Sequence, residues 1–158
     1  MTYPTQPNQN PAFPQQSPVY AAPAPVYQLP TNRSLAKFIL LGIITFSIYP
    51  IVIMTTTAED LNIIASRYNG KKTMNYCLMF FLISWLTLGI GWLVWHNNFS
   101  ARIGDEQRRR GLAPTVTAAT YWLWAVLGSL IVVGPFIYYY KVLNAMNELC
   151  AAYNATGC

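Results

Sequence analysis

Three stretches without a single charged side chain dominate this 158-residue sequence: 38–58, 73–101 and 111–140. They are 21, 29 and 30 residues long. About 20 apolar residues let a helix cross a hydrocarbon core of about 30 Å, so each stretch qualifies by length. Charged residues make up only 9% of the chain and hydrophobic ones 54%, against about 25% charged in a typical soluble domain. Too little charge remains to solvate a soluble bundle. The expected fold is therefore an all-α integral membrane protein with three transmembrane helices over 35–57, 74–95 and 117–140. Amphipathic helices at the interface are expected over 58–69, 96–110 and 141–153. Together they form a membrane domain over 35–154, with 155–158 as a C-terminal end.

Aromatic residues stand where a bilayer interface would place them. Trp92 and Trp95 close the second stretch, Tyr121, Trp122 and Trp124 open the third, and Tyr138, Tyr139 and Tyr140 close it. Such rings favour the interface because an apolar body and a polar edge each find their solvent. Arg108, Arg109 and Arg110 fit an interfacial loop touching anionic headgroups. Pro50, Gly89, Gly91, Gly134 and Pro135 are the expected helix breaks, and Gly111 and Pro114 punctuate the second connection.

Ahead of the apolar part, residues 1–30 hold eight of the eleven prolines, five glutamines and no charge. Such a segment buries too little apolar area to offset its ordering entropy, so 1–34 is expected to be a disordered, proline-rich tail. Pro11-Ala12-Phe13-Pro14 has the P-x-x-P spacing but no basic neighbour, which favours a spacer or loose protein-docking tail over a specific ligand. With no basic start and apolar core, the tail is not a signal peptide.

An offset of 85 residues aligns Pro50 with Pro135, Asn62 with Asn147 and Tyr68-Asn69 with Tyr153-Asn154. Behind each proline runs a stripe at helical spacing: Leu61, Ile64, Ala65 and Tyr68, then Met146, Leu149, Cys150 and Tyr153. Both stripes suit helices lying on a membrane surface. The middle unit continues through Trp92, Trp95, Phe99 and Ile103, then becomes charged beyond Gly104 and loses its stripe. Three related units are expected, the first and last close and the middle one diverged.

Ile44-Thr45-Phe46-Ser47-Ile48-Tyr49-Pro50-Ile51 followed by Asp60-Leu61-Asn62, and Leu86-Thr87-Leu88-Gly89-Ile90-Gly91-Trp92, carry a family likeness. The pattern resembles the bacterial membrane family catalogued as domain of unknown function 4234, whose repeats look like I-T-L-G-I-Y-G-I-Y-W followed by a helix bearing D-L-N. This chain departs from it at Phe46-Ser47, where the family has Leu-Gly, and at Pro50 and Gly91. The resemblance spans roughly 35–153 and implies a fold without implying an activity.

Two topologies compete. With three spans, Arg33, Lys37, Arg102, Arg108, Arg109 and Arg110 share the N-terminal side, against Arg67, Lys71, Lys72 and Lys141. The excess favours a cytoplasmic N-terminus and a multi-pass location in a bacterial cytoplasmic membrane. If each breaker instead turns the chain back into a hairpin, all ten basic residues lie on one side. The breakers stand late in their stretches, which favours the spans.

Chemistry is sparse. His96, the only histidine, stands beside Trp95 with no second histidine or nearby cysteine, so an interfacial structural role is expected and no metal site. Glu59, Asp60, Asp105, Glu106 and Glu148 all lie outside the three stretches. Ion and proton paths usually bury such groups, and Glu59 and Asp60 instead suit the start of a following helix. Cys77, Cys150 and Cys158 share no recurring spacing. No catalytic residue, cofactor or nucleic-acid partner is expected. The expected function is that of a non-enzymatic interaction or scaffold protein. Its candidate partners are the lipid bilayer with anionic headgroups, further copies or membrane proteins, and a protein docked on the tail. Ala125 and Ser129 offer one small-x-x-x-small contact. The alternative is an oligomeric transporter or channel component whose path would use Thr45, Ser47, Ser84, Thr87 and Ser129.

Overall fold

A computed structural model describes residues 25, 27–66, 68 and 70–157. Most of the proline-rich tail, together with Arg67, Asn69 and Cys158, lies outside the described residues. The rest is helical, and each charge-free stretch folds back on itself. Helix α1 (Leu35–Ile44) turns at Thr45–Ser47 into α2 (Ile48–Ala65). The second hairpin rises through α3 (Tyr76–Leu78), a π-helical segment (Met79–Ile83) and α4 (Ser84–Leu86), then descends as α5 (Ile90–Arg109). The third rises through α6 (Ala118–Thr120), a π-helical segment (Tyr121–Val126) and a 3₁₀ segment (Leu127–Ile131), then descends as α7 (Gly134–Thr156).

This corrects the expectation of three transmembrane helices. Among the described residues, no helix is long and apolar enough to cross a membrane, so the multi-pass location falls with it. The physical reason is the turn inside each stretch. It leaves α1 with 10 residues, about 15 Å of helix. The descending helices are longer, but α2 and α5 carry charge in their second halves, and α7 carries Lys141 and Glu148. A count of apolar residues cannot distinguish one crossing from two half-length arms.

The amphipathic stripes are likewise not surface helices. Each is the second half of a descending helix, and the stripes face one another. Leu61, Ile64 and Ala65 from α2, Phe99 and Ile103 from α5, and Met146, Leu149 and Cys150 from α7 are all buried. All of them but Ala65 form one core with Val116 and Tyr121. Beyond Gly104 the apolar stripe of α5 ends, and the buried face continues with the polar Glu106 and Gln107. Only Tyr68 stays exposed, with the Arg109 guanidinium 3.6 Å above its ring.

Polar clamps fix how the hairpins follow one another. Asn62 on α2 accepts from the Thr73 N–H at 2.6 Å and donates to the Thr73 carbonyl at 2.8 Å, just ahead of the second hairpin. Gln107 on α5 accepts from the Thr115 N–H at 3.0 Å and the Val116 N–H at 3.4 Å, just ahead of the third. Asn147 on α7 accepts from the Arg33 N–H at 3.1 Å and donates to its carbonyl at 2.8 Å, just ahead of the first. Each descending helix thus holds the entrance of the next hairpin, and the last holds the first. Asn154, two turns beyond Asn147, clamps Leu29 in the same way at 2.7 and 2.8 Å. Removing such a side chain strands a backbone N–H and C=O together. Asn62→Ala and Asn147→Ala are each expected to cost about 2–3 kcal/mol, read as a lowered unfolding midpoint. An unchanged midpoint would show that water replaces the clamp.

Candidate functional site: three apolar hairpin tips

The first two turns are built alike. The Thr45 hydroxyl donates to the Leu41 carbonyl at 2.6 Å and accepts from the Tyr49 N–H at 2.9 Å. Thr87 does the same with the Ile83 carbonyl at 2.7 Å and the Gly91 N–H at 2.8 Å. Backbone bonds repeat in register: Ser47 N–H to Gly42 O at 2.7 Å and Gly89 N–H to Ser84 O at 2.8 Å, then Ile48 N–H to Thr45 O and Ile90 N–H to Thr87 O, both at 3.0 Å. A helix start ordinarily leaves its first N–H groups to solvent. Here the N–H groups of Ile48 and Tyr49 are bonded, and Pro50 at the third position has none to satisfy. In α5 the N–H groups of Ile90, Gly91, Trp92 and Leu93 all find acceptors within the turn.

At the apex of each turn stands an apolar residue in the left-handed region: Phe46 at φ 49°, Leu88 at φ 50° and Val132 at φ 60°. Side chains with a Cβ avoid this region, β-branched ones most of all. These three are among the most exposed, at 93%, 94% and 72%. Ile44, Ile48, Trp85, Leu86, Leu130 and Ile131 surround them, also exposed.

The three tips lie at one end. Bonds between hairpins join residues at comparable distances below their tips: Arg102 to Asn62 at 2.6 Å, Gln107 to Glu148 at 3.4 Å and Trp122 to Asn97 at 3.0 Å. All ten basic residues lie outside the stretches that contain the tips.

Residues 33–105 match the family model Domain of unknown function (DUF4234). The resemblance read from the sequence is shown over these residues, which comprise the first hairpin and nearly all of the second. No curated protein and no solved structure matches the chain. The structure gives each family element a task. The threonine bridges the turn, and the glycine position takes the left-handed backbone, with Gly89 at φ 89° where the first copy strains Ser47 to φ 69°. In the D-L-N element, Asp60 pairs with Arg33, Leu61 is fully buried and Asn62 clamps Thr73. The turn makes the first and second units close, whereas the sequence offset relates the first and last, through the clamps.

The expected helix breaks gather at these turns. Pro50 and Pro135 stand in the first turns of α2 and α7, where proline is tolerated, so they start helices instead of breaking them. Gly89 forms its turn, and Gly91 lets the hairpin arms close: an added Cβ would lie 2.6 Å from Ile83 Cγ2. Gly134 backs directly onto Gly128. The expected interface residues mostly turn inward. Tyr138 and Trp95 are buried, and Trp92, Trp124 and Tyr139 pack against the core. Trp122 is exposed, bonded to Asn97. Arg108 pairs with Asp105, Arg109 with Glu106, and Arg110 donates to the Ile64 carbonyl at 3.3 Å. Four of the five hydroxyls expected to line a transport path bond locally: those of Thr45 and Thr87 as above, Ser84 to Met79 Sδ at 3.4 Å and Ser129 to the Val126 carbonyl at 2.6 Å.

His96 is fully buried inside a box of Tyr76, Trp92, Trp95, Tyr121 and Tyr138. This differs from the expected interfacial place. A carbonyl only accepts, so the 3.0 Å contact with Trp92 O puts the proton on Nδ1, leaving Nε2 buried without a partner. Burial lowers its pKa to about 4 from 6.5. The unfolded chain then binds the extra proton first. Stability is fully present above about pH 6.5 and lost as pH falls from there towards 4. The expected loss is about 2 kcal/mol by pH 5, seen by comparing unfolding at pH 7.5 and 5 in detergent. His96→Gln should flatten that difference, and an equal slope in both proteins would place the titration elsewhere.

Proposed function

We propose that this chain is a non-enzymatic interaction module that seats on a lipid surface by its three hairpin tips, each entering one leaflet without crossing it. The observation that carries this reading is the apex design: an exposed apolar side chain, held at left-handed φ, on a turn whose backbone donors are internally bonded. Hydrocarbon offers no partner for a free N–H, so a segment can enter it only when its own groups supply the bonds. The Thr45 and Thr87 turns meet that demand. An arm of about 15 Å matches half of a hydrocarbon core of about 30 Å. The charged ends of the hairpins then face water and headgroups. Strained backbone that carries an exposed apolar group calls for a functional explanation.

Trp85, beside the second tip and exposed, is the natural probe. In a variant whose other four tryptophans are phenylalanine, its fluorescence should shift to the blue on neutral phosphatidylcholine vesicles. Lipids brominated near the middle of the acyl chain should quench it, without vesicle leakage. Unchanged emission and no quenching would sink the proposal.

A further inference from the structure

The second hairpin carries a groove with two unlike ends. Near the tip it is apolar, about 450 Å³, lined by Ile83, Ile90, Val94 and Trp95. Near the base it opens into a basin of about 560 Å³ lined by Lys71, Lys72, Arg102 and Asp105. Lys72, Thr73 and Asn98 border both, so the two are continuous. The basin holds cationic charge that the protein does not balance. Arg102 donates to Asn62 Oδ1 at 2.6 Å, Thr73 Oγ1 at 2.7 Å and the Lys71 carbonyl at 2.6 Å, all of them neutral acceptors. Its Nε is buried without a partner. Asp105, the one carboxylate there, is engaged by Arg108 at 3.0 Å. Among the described residues, no ion pair reaches Lys71, Lys72 or Arg102. In the basin of the first hairpin Arg33 is neutralised by Asp60, which leaves Lys37 as its one lining cation outside the ion pairs of the described residues, against three in the second.

We propose that this groove holds one anionic phospholipid, with its phosphate at Lys71, Lys72 and Arg102 and one acyl chain along Ile83, Ile90 and Val94 towards the tip. The proposal rests on the seating of the tips in a leaflet, which would present the groove to lipid with its basic end at headgroup level. Both cavities fall in the size range of ligand sites. A phosphodiester supplies the anion, and the neighbouring chain supplies the apolar surface. A free phosphate would use the basin alone.

The test is native mass spectrometry of the full chain released from a non-ionic detergent, with phosphatidylglycerol, phosphatidylcholine or inorganic phosphate added. A single saturable phosphatidylglycerol adduct is expected, at least tenfold favoured over phosphatidylcholine, with none for phosphate. Lys71→Ala/Lys72→Ala should weaken it at least tenfold, and so should Val94→Trp, which fills the apolar end. The charge-matched Lys37→Ala/Lys141→Ala should leave it within a factor of two. Equal adducts for both lipids, phosphate binding as well as lipid, or equal loss in the charge-matched control would overturn the proposal. The groove variants should still bind neutral vesicles. Failure of the wild-type chain on those vesicles would count against the seating, whereas a missing adduct with seating intact would count against the groove alone.

Discussion

Replacing Phe46, Leu88 and Val132 together by asparagine is expected to lower affinity for neutral phosphatidylcholine vesicles at least about a thousandfold, while raising thermal stability in detergent. The two signs come from different physics. Each apex side chain would transfer from water to hydrocarbon on seating, worth about 1.5 kcal/mol or more apiece. Losing three removes at least about 4 kcal/mol, which is about three orders of magnitude in affinity. The folded chain loses almost no packing, since these side chains are among its most exposed. It gains because asparagine tolerates the left-handed backbone better than phenylalanine or leucine. A gain of roughly 0.5–1 kcal/mol is expected at each of the first two turns, and none at Val132, whose φ of 60° and ψ of −38° lie outside the well that asparagine favours. A destabilised triple variant would show that the apex residues pack within the protein. An unchanged vesicle affinity would show that they never touch lipid.

Asp60→Ala should be among the most damaging single substitutions in the fold. Arg33 and Asp60 form an ion pair with side chains only 4% and 10% exposed, at the joint where α7 clamps the entrance of the first hairpin. Desolvation raises the Asp60 pKa despite the opposing pull of Arg33, so burying this carboxylate is costly, and the pair adds little net stability. Breaking it is different, because the guanidinium stays buried with only the Pro30 carbonyl and the Cys150 sulfur for company. The expected loss is about 3 kcal/mol or more, read from denaturant unfolding. Arg33→Leu/Asp60→Leu should recover most of it by removing both charges. A double variant as weak as the single would mean that the pair itself supplies the stability.

How much of this was legible in the sequence depends on distance along the chain. The charge-free stretches, the helical stripes and the family likeness are local patterns, and the structure keeps all three. The turns are legible as breakers, and reversal is one of the two topologies that breakers allow; their late position in each stretch pointed to spans instead. Pro50 and Gly89 mark a position without specifying a direction, and the Thr45 hydroxyl that links both sides of the turn looks like any threonine in an apolar run. Hydropathy also misplaced the stripes. A face made of Leu61, Ile64 and Ala65 suits a membrane surface as well as it suits two matching helices. Only contacts between residues some 40 positions apart or more, such as Arg102 with Asn62, decide between them. His96 was out of reach for the same reason, since its box gathers Tyr76, Tyr121 and Tyr138 from three separate segments. The clamp of α5 is also displaced: the shared turn puts Gly104 at the place of Asn62, and Gln107, three residues further on, does the clamping.

Because Asn147 returns to Arg33, the three units have no first and no last member. Open arrays of repeats fray from their ends and need distinct capping units. A closed circuit has no end from which to fray, so its units should be lost together and not one by one. Leu29 and Asn154 already meet at the junction. The order in which the hairpins are joined is therefore a matter of where the gene opens the circle. A chain begun at the second hairpin, with 29 and 154 bridged by a short linker, would retain all three clamps.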